Sequence, residues 1–468
     1  MGSLAGLLKK AGHRVTGSDS AFYPPMGDAL VRWGIETREG FDPKHLTPRP
    51  DLVVVGNVCR PGNVEARAAI DAGIPYTSLP KALAEYCLNG RRSFVIAGTH
   101  GKTTTTTLCA HLLDQAGLAP GFLIGGIPLG FSESFRWAQP GAPFVVEGDE
   151  YDSAFFEKTP KFWHYQPEVA LLNAIEFDHV DIYPSMESYR AAFGGFVDRL
   201  PENGLLVANA ADAEVRACAR RARCKVTYFA LEGDATGDVT PEWLGAPVAA
   251  QQELVPFDLF VGGSACGRQF SPLFGAHNLR NAVGAIALCA SATDAPLPTL
   301  GRALASFAGV KRRQELRGTA DGVRVYDDFA HHPTAVLETL RGFRERHPQG
   351  RLIALFEPRS ATASRRIHQA GYASAFEPAD VILLAPVGRT EIPENERLDV
   401  RALVAALNAA GKQAELGDSI DDLVQRVNAI AAPGDTVVAM SNGAFGNIHD
   451  KLLCVIGSRS LTPPAREG

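Results

Sequence analysis

Apolar and polar positions change period repeatedly along the 468-residue chain, and the changes divide it into three blocks. Up to about Asn89, short apolar runs (His13–Gly17, Asp51–Gly56, Ile74–Thr77) alternate with stretches whose apolar residues return every three or four positions (Met26–Gly34, Asn63–Ala72, Lys81–Leu88). The first kind suits buried strands and the second amphipathic helices, so this block predicts a doubly wound α/β unit. The second block opens near Arg91 with a strand, Phe94–Ala97, and a helix, Thr105–Ala116, and closes near Gly309. Within it, Phe144–Val146 and Val169–Asn173 read as buried strands and Ala282–Ala292 as an apolar helix. The third block starts near Gly318 and repeats strand-then-helix four times, with strands Val323–Asp327, Leu352–Phe356, Val381–Ala385 and Thr436–Met440. We therefore expect domains at 1–89, 90–312 and 313–468. One irregularity stands at the start: helix Gly2–Ala11 has no strand before it, whereas a nucleotide-binding α/β unit begins with a strand and a glycine turn. The pattern reads as an N-terminal unit lacking its first strand, with the natural start of the chain upstream.

Composition narrows the class. Hydrophobic residues make up 46% and charged residues 21%, the balance of an ordinary globular protein. A net charge of −6 argues against a nucleic-acid or membrane binder, and no run is long enough for a membrane span or patterned as a secretory signal. Eight cysteines lack C-x-x-C pairs, which suits reduced thiols in a cytoplasm. Cys218 and Cys224 read as ordinary buried thiols rather than a redox pair.

The chemistry lies in the loops after the strands. Gly98-Thr99-His100-Gly101-Lys102-Thr103-Thr104 joins strand Phe94–Ala97 to the helix that follows. Its backbone N–H groups would cradle the phosphates of a nucleoside triphosphate, Lys102 would neutralise their charge, and the Thr103 hydroxyl would face Mg²⁺. The loop is shorter than the common phosphate loop, with Ile96 where a first glycine is expected. Next, Glu147-Gly148-Asp149-Glu150-Tyr151-Asp152 places four carboxylates within six residues, where they repel one another unless cations sit among them. This is either a solvated acidic turn or a magnesium site. His179, between Asp178 and Asp181, could serve a second cation or be oriented by a carboxylate. Asn278 and Asn281 share a face at a helix start and suit either an adenine edge or helix capping. Lys311-Arg312-Arg313 lies at the hinge into the third block, where an arginine could reach a transferring phosphate.

In this order, these motifs resemble the Mur ligase family of ATP-dependent amide-forming enzymes. The resemblance rests on Gly98–Thr104, the acidic strand end, His179, His277-Asn278-Leu279-Arg280-Asn281, the hinge arginine and Asp327-Asp328-Phe329-Ala330-His331-His332-Pro333-Thr334. It implies three α/β domains: Rossmann-like, phosphate-loop mixed sheet, and Rossmann-like. It also implies a cytoplasmic enzyme using ATP and Mg²⁺, with UDP-N-acetylmuramate as one substrate and no protein partner. Further stretches point to the branch whose acceptor is a recycled tripeptide, L-alanyl-γ-D-glutamyl-meso-diaminopimelate. They are Tyr23–Met26, Glu150–Phe156, Lys161–Tyr165, Glu357–Ser360 and Ser441–His449. Alternatives are free L-alanine as acceptor, or a nucleotide-binding module that does not catalyse.

By motif, Lys102, His179 and Arg313 would be catalytic. ATP would meet Gly98, Thr99, His100, Gly101, Lys102, Thr103, Thr104, Asn278, Asn281, Arg313 and, at its ribose, Asp328. Thr103 and Glu147, or Glu150 in its place, would hold the first metal and His179 the second. Asn57 and Asn63 in the loop Gly56–Glu65 would touch the uridine diphosphate. Glu150, His332, Arg359, Ser360 and Asn442 would complete the substrate site, with Arg359 foremost for a peptide carboxylate and Arg365 and Arg366 as weaker candidates.

Overall fold

The computed structural model describes residues 1–249, 253–389 and 391–461, and these fold as three α/β units. In the first, strand Thr16–Asp19 pairs in parallel with Glu36–Glu39, and Val53–Val55 with Tyr76–Ser78, as two separate pairs. Helices Met26–Arg32 and Val64–Asp71 make the crossovers. The opening helix, Gly2–Lys10, packs Leu4 and Leu7 into one core with Ala82, Leu83, Phe135 and Phe144. Its Gly6 lies so close to the Phe135 ring that a Cβ there would sit 2.2 Å from it. The opening helix thus buries its apolar face between its own unit and the middle one.

The middle unit is a ten-stranded sheet. Seven strands run parallel, in the order Trp243–Pro247, Lys225–Leu231, Leu205–Asn209, Val169–Leu172, Arg92–Ala97, Pro143–Gly148 and Gly121–Leu123. A hairpin, Val255–Val261 with Ser264–Ser271, extends one edge and Phe135–Arg136 the other, all antiparallel. The central strands are apolar throughout because both faces are covered. Phe94 and Ile96 enter the core under helices Lys102–Gln115 and Ala276–Ala292, while Val95 and Ala97 enter the core on the opposite face.

The third unit has six strands, in the order Glu315–Ala320, Val323–Asp328, Thr436–Met440, Leu352–Phe356, Val381–Leu384 and Gln413–Leu416. All run parallel except the first. No helix among the described residues is long and apolar enough to cross a membrane. All eight cysteines are free, and burial pushes the Cys87 and Cys218 thiols up to about 12.

Several element boundaries move relative to the sequence pattern, for local reasons. The phosphate-loop helix starts at Lys102 rather than Thr105, because Gly101 adopts a left-handed conformation (φ +77°) immediately before it. The helix expected from Ala282 begins at Ala276 after Gly275 (φ +83°), so Asn278 and Asn281 lie inside its first turns. The strand expected to end at Val146 runs on to Gly148, which puts Glu147 on the strand itself.

Candidate active site

The phosphate loop is held open by two glycines that no larger residue can replace without movement. At Gly98 (φ +134°) an added Cβ would lie 3.0 Å from the backbone nitrogen and oxygen of Ala174. At Gly101 it would lie 2.6 Å from Asn281 Oδ1 and 2.8 Å from Asn173 Nδ2. Thr99 ties the loop to the neighbouring strand end: its N–H donates to Ala174 O (2.7 Å), and its hydroxyl donates to Glu176 O (2.9 Å). We expect Gly101→Ala to weaken ATP binding at least about tenfold, since its left-handed backbone costs a non-glycine residue about 1–3 kcal/mol and both close neighbours line the loop. A nucleotide titration by calorimetry checks this.

The acidic turn does not gather around one cation. Three of its four carboxylates face lysines: Asp149 with Lys161 (2.8 Å), Glu150 with Lys102 (2.9 Å) and Asp152 with Lys158. Glu147 alone turns toward the loop hydroxyl, accepting from Thr103 Oγ1 at 3.0 Å and from Gly125 N–H at 2.6 Å. Burial pushes its carboxyl pKa up, so a cation beside it would favour the ionised form. A hydroxyl and a carboxylate at the head of the phosphate loop are hard oxygen donors of the kind Mg²⁺ takes, and they fit that ion.

Glu150, expected to face substrate, is completely buried behind the loop. Both its carboxylate oxygens accept from Lys102 Nζ (3.1 and 2.9 Å), and Oε1 also meets His179 Nε2 and the Tyr189 hydroxyl, each at 3.1 Å. Burial alone would raise its pKa, but the ammonium of Lys102 and the hydrogen bond and charge of His179 override that and hold it at about 2. Burial opposes the charge on His179 too; Glu150 and Asp178 more than offset it and leave the imidazole above its ordinary value. His179 also holds a left-handed backbone (φ +55°), anchored by its N–H to Asp178 Oδ1 at 2.7 Å. Such strain in a non-glycine residue is sustained where the surroundings fix one geometry.

Glu150 also makes a pH prediction. Its folded pKa of about 2 lies below the ordinary 4.5, so the stability it contributes is present above pH 4.5 and is lost as pH falls toward 2. Urea midpoints measured from pH 6 to pH 3 should fall more steeply for the wild type than for Glu150→Gln.

The hinge brings the third unit to this site. Arg313 is flanked by two left-handed residues, Arg312 (φ +63°) and Gln314 (φ +51°), and its guanidinium lies 4.5 Å over the Phe329 ring. It stands in the field of both Asp328 and Glu147. Arg312, whose guanidinium also lies over the Phe329 ring (5.2 Å), donates to the carbonyls of Ser441 and Gly443. Asp328 uses both oxygens locally, accepting from the N–H groups of Gln314 and Ala330 at 2.8 Å. The asparagines do not cap their helix: Asn278 Nδ2 donates to Gln314 Oε1 (2.9 Å) and Phe274 O (3.2 Å), and Asn281 Nδ2 to Asn278 Oδ1 (3.2 Å). Gln314, which sequence reading missed, therefore links both to the hinge.

Further out, Arg359 extends beside Glu357 (3.8 Å) and packs on Gly443, where a Cβ would meet its Cδ at 2.4 Å. Asn442 Oδ1 is buried there without a hydrogen-bond partner. Ser360 Oγ accepts from Ala363 N–H, and Arg365 pairs with Glu396. In the first unit Asn57 is half-buried, whereas the Asn63 amide oxygen caps helix Val64–Asp71 by accepting from Ala66 N–H at 2.9 Å. The structure thus clusters Lys102, Thr103, Glu147, Glu150, His179 and Arg313 at the phosphate loop and leaves Asn57 and Asn63 in a separate unit.

A phosphate loop at a strand end, a carboxylate facing its hydroxyl and an arginine delivered by a following unit define a three-unit nucleotide-dependent enzyme. Family models agree along the chain: "Mur ligase family, catalytic domain" matches residues 1–91, "Mur ligase middle domain" 96–289, and "Mur ligase, glutamate ligase domain" 312–443. The UDP-N-acetylmuramate–L-alanyl-γ-D-glutamyl-meso-2,6-diaminoheptandioate ligase of Escherichia coli K12 is 38% identical over 97% of this chain and 95% of its own. The UDP-N-acetylmuramate–L-alanine ligase of Roseiflexus sp. RS-1 is 34% identical over 95% of this chain and 94% of its own. A solved murein peptide ligase from Psychrobacter arcticus superposes with a TM-score of 0.71 at 35% identity, covering 98% of this chain and 96% of that one. The chain belongs to the Mur ligase family, whose members are ATP-dependent, ADP-forming ligases.

Proposed function

We propose that this protein joins the lactyl carboxylate of UDP-N-acetylmuramate to the amino group of L-alanyl-γ-D-glutamyl-meso-diaminopimelate, converting ATP to ADP and phosphate. The observation that carries this is the 38% identity, across 97% of the chain, to a ligase named for those two partners. The carboxylate attacks the γ-phosphoryl group to give an acyl phosphate; the peptide amine then adds, and the tetrahedral intermediate expels phosphate. The difficulty is bringing a carboxylate up to a triphosphate. Lys102, steadied by Glu150, neutralises the phosphate chain, and Arg313 stabilises the equatorial oxygens as charge spreads over them. Thr103 and Glu147 would hold one Mg²⁺, and His179 a second, supplying further neutralisation of that charge. Asn278 and Asn281 offer amides to the adenine edge, and Asp328 fixes the hinge through Gln314 and Ala330.

L-Alanine as acceptor is the second reading, favoured by the 34% identical relative named for it. Phosphate release with UDP-N-acetylmuramate plus either the tripeptide or L-alanine separates them: turnover faster with L-alanine overturns our choice, and none with either leaves a non-catalytic module. Arg359, with its exposed guanidinium packed on Gly443, suits a peptide carboxylate. Arg359→Ala is expected to raise the peptide KM about tenfold or more while leaving the KM for UDP-N-acetylmuramate unchanged, as initial rates would show.

A further inference from the structure

A second cluster of ligating side chains lies in the mouth between the middle and third units; it shares His100 with the phosphate loop but includes none of Lys102, Thr103, Glu147, His179 and Arg313. His100 comes from the phosphate loop, Glu176 from the segment after strand Val169–Leu172, and His332 from the residue before helix Pro333–Arg346. His100 Nε2 stands 2.9 Å from Glu176 Oε2, and His332 Nδ1 stands 3.6 Å from the same oxygen. One donor atom of each lies within 4.8 Å of the other two.

Hydrogen bonding within the protein does not account for His332. It is 4% exposed, yet neither ring nitrogen has a hydrogen-bond partner, an arrangement that folded proteins avoid unless something else satisfies the group. His368 lies across from it, ring centroids 4.5 Å apart, with its own Nε2 buried and unpartnered. A cavity of about 340 Å³ opens on Glu176, His332 and His368. The other oxygen of Glu176 accepts from Thr334 Oγ1 at 2.6 Å, the outer hydrogen bond by which proteins orient a ligating carboxylate.

We infer that His100, Glu176 and His332 form a site for a divalent transition metal of the zinc class, with His368 as the nearest candidate for a fourth donor. Two imidazoles and a carboxylate are a donor set that Zn²⁺ takes and that Mg²⁺ does not favour. Donors about 2.1 Å from a tetrahedral ion lie roughly 3.5 Å apart, so the 3.6 Å pair needs no movement and the widest pair needs a modest ring rotation. Because the donors belong to two units, the ion would bridge the phosphate loop to the third unit and oppose their separation.

The test is a Co²⁺ titration of the full chain in excess Mg²⁺. One equivalent should bind and give visible d–d bands of nitrogen and oxygen ligation, without the charge-transfer band of cysteine. His332→Ala and Glu176→Gln should each weaken binding about 100-fold or more, with folding followed by circular dichroism. X-ray absorption of the Zn²⁺-loaded wild type needs no variant and should show two imidazoles with oxygen, or three where His368 is the fourth donor. Sulfur scattering, no stoichiometric binding, or undiminished affinity in a folded His332→Ala would overturn the site.

Discussion

Replacing Lys102 with methionine should lower phosphate release at least about 1,000-fold and destabilise the protein at the same time. The first effect follows from removing the ammonium that, in the proposed mechanism, neutralises the phosphate chain. The second follows from what the lysine leaves behind. Glu150 is completely buried, and Lys102 bonds both of its oxygens, so the substitution strands a carboxylate with only His179 and Tyr189 beside it. Breaking a buried pair from one side typically costs about 3–5 kcal/mol, and the remaining imidazole places this case at the lower end. Adding Glu150→Gln to Lys102→Met should therefore recover much of the urea midpoint and none of the activity. A double variant as unstable as the single one would show that the pair does not hold this region. Retention of more than about a tenth of the rate by Lys102→Met would remove the lysine from its place in transfer.

How much of this was legible in the sequence follows from how local each feature is. The phosphate loop reads directly because strand, glycines, lysine and helix are contiguous, and its geometry depends on φ angles that only glycine adopts readily. The partner of Glu150 could not be read, because Lys102 lies 48 positions away and the contact exists only once strand Pro143–Gly148 lies beside strand Arg92–Ala97. The same holds for Thr334 and Glu176, 158 positions apart. Two asparagines three residues apart signal a shared helix face, but nothing in that spacing reveals Gln314, which the hinge carries to them. In the fold, the apolar runs Phe94–Ala97, Phe144–Val146 and Val169–Asn173 stood out, whereas Leu205–Asn209, equally buried, went unread. The hairpin Val255–Ser271 did not stand out either, since its outer strand Ser264–Ser271 is largely exposed and its polar residues blur the alternation. The burial of Glu150 could not be read for a related reason: nothing within an acidic run marks which carboxylate turns inward.

The hinge carries the other large effect. Arg312 and Arg313 are adjacent and chemically identical, yet the left-handed backbone at Arg312 and Gln314 sends their side chains to opposite tasks. Arg312 is held by the carbonyls of Ser441 and Gly443 and lies 3.6 Å from Asp327, which ties the hinge to the third unit's own loop. Arg313 stacks on Phe329 and faces the charges of Asp328 and Glu147, on the side where the triphosphate would lie. Arg313→Ala should lower kcat by about 1,000-fold with the KM for ATP changed little, because an arginine acting on the transferring group serves the transition state more than the bound nucleotide. Arg313→Lys should recover only part of that, since an ammonium lacks both the planar fork and the stacking surface. Arg312→Ala should show its loss in thermal stability, with a smaller fall in kcat. Steady-state kinetics and melting curves on the three variants decide the matter: if Arg312→Ala suffers the larger loss in kcat, the two arginines have exchanged roles and the phosphate lies on the other side of the hinge.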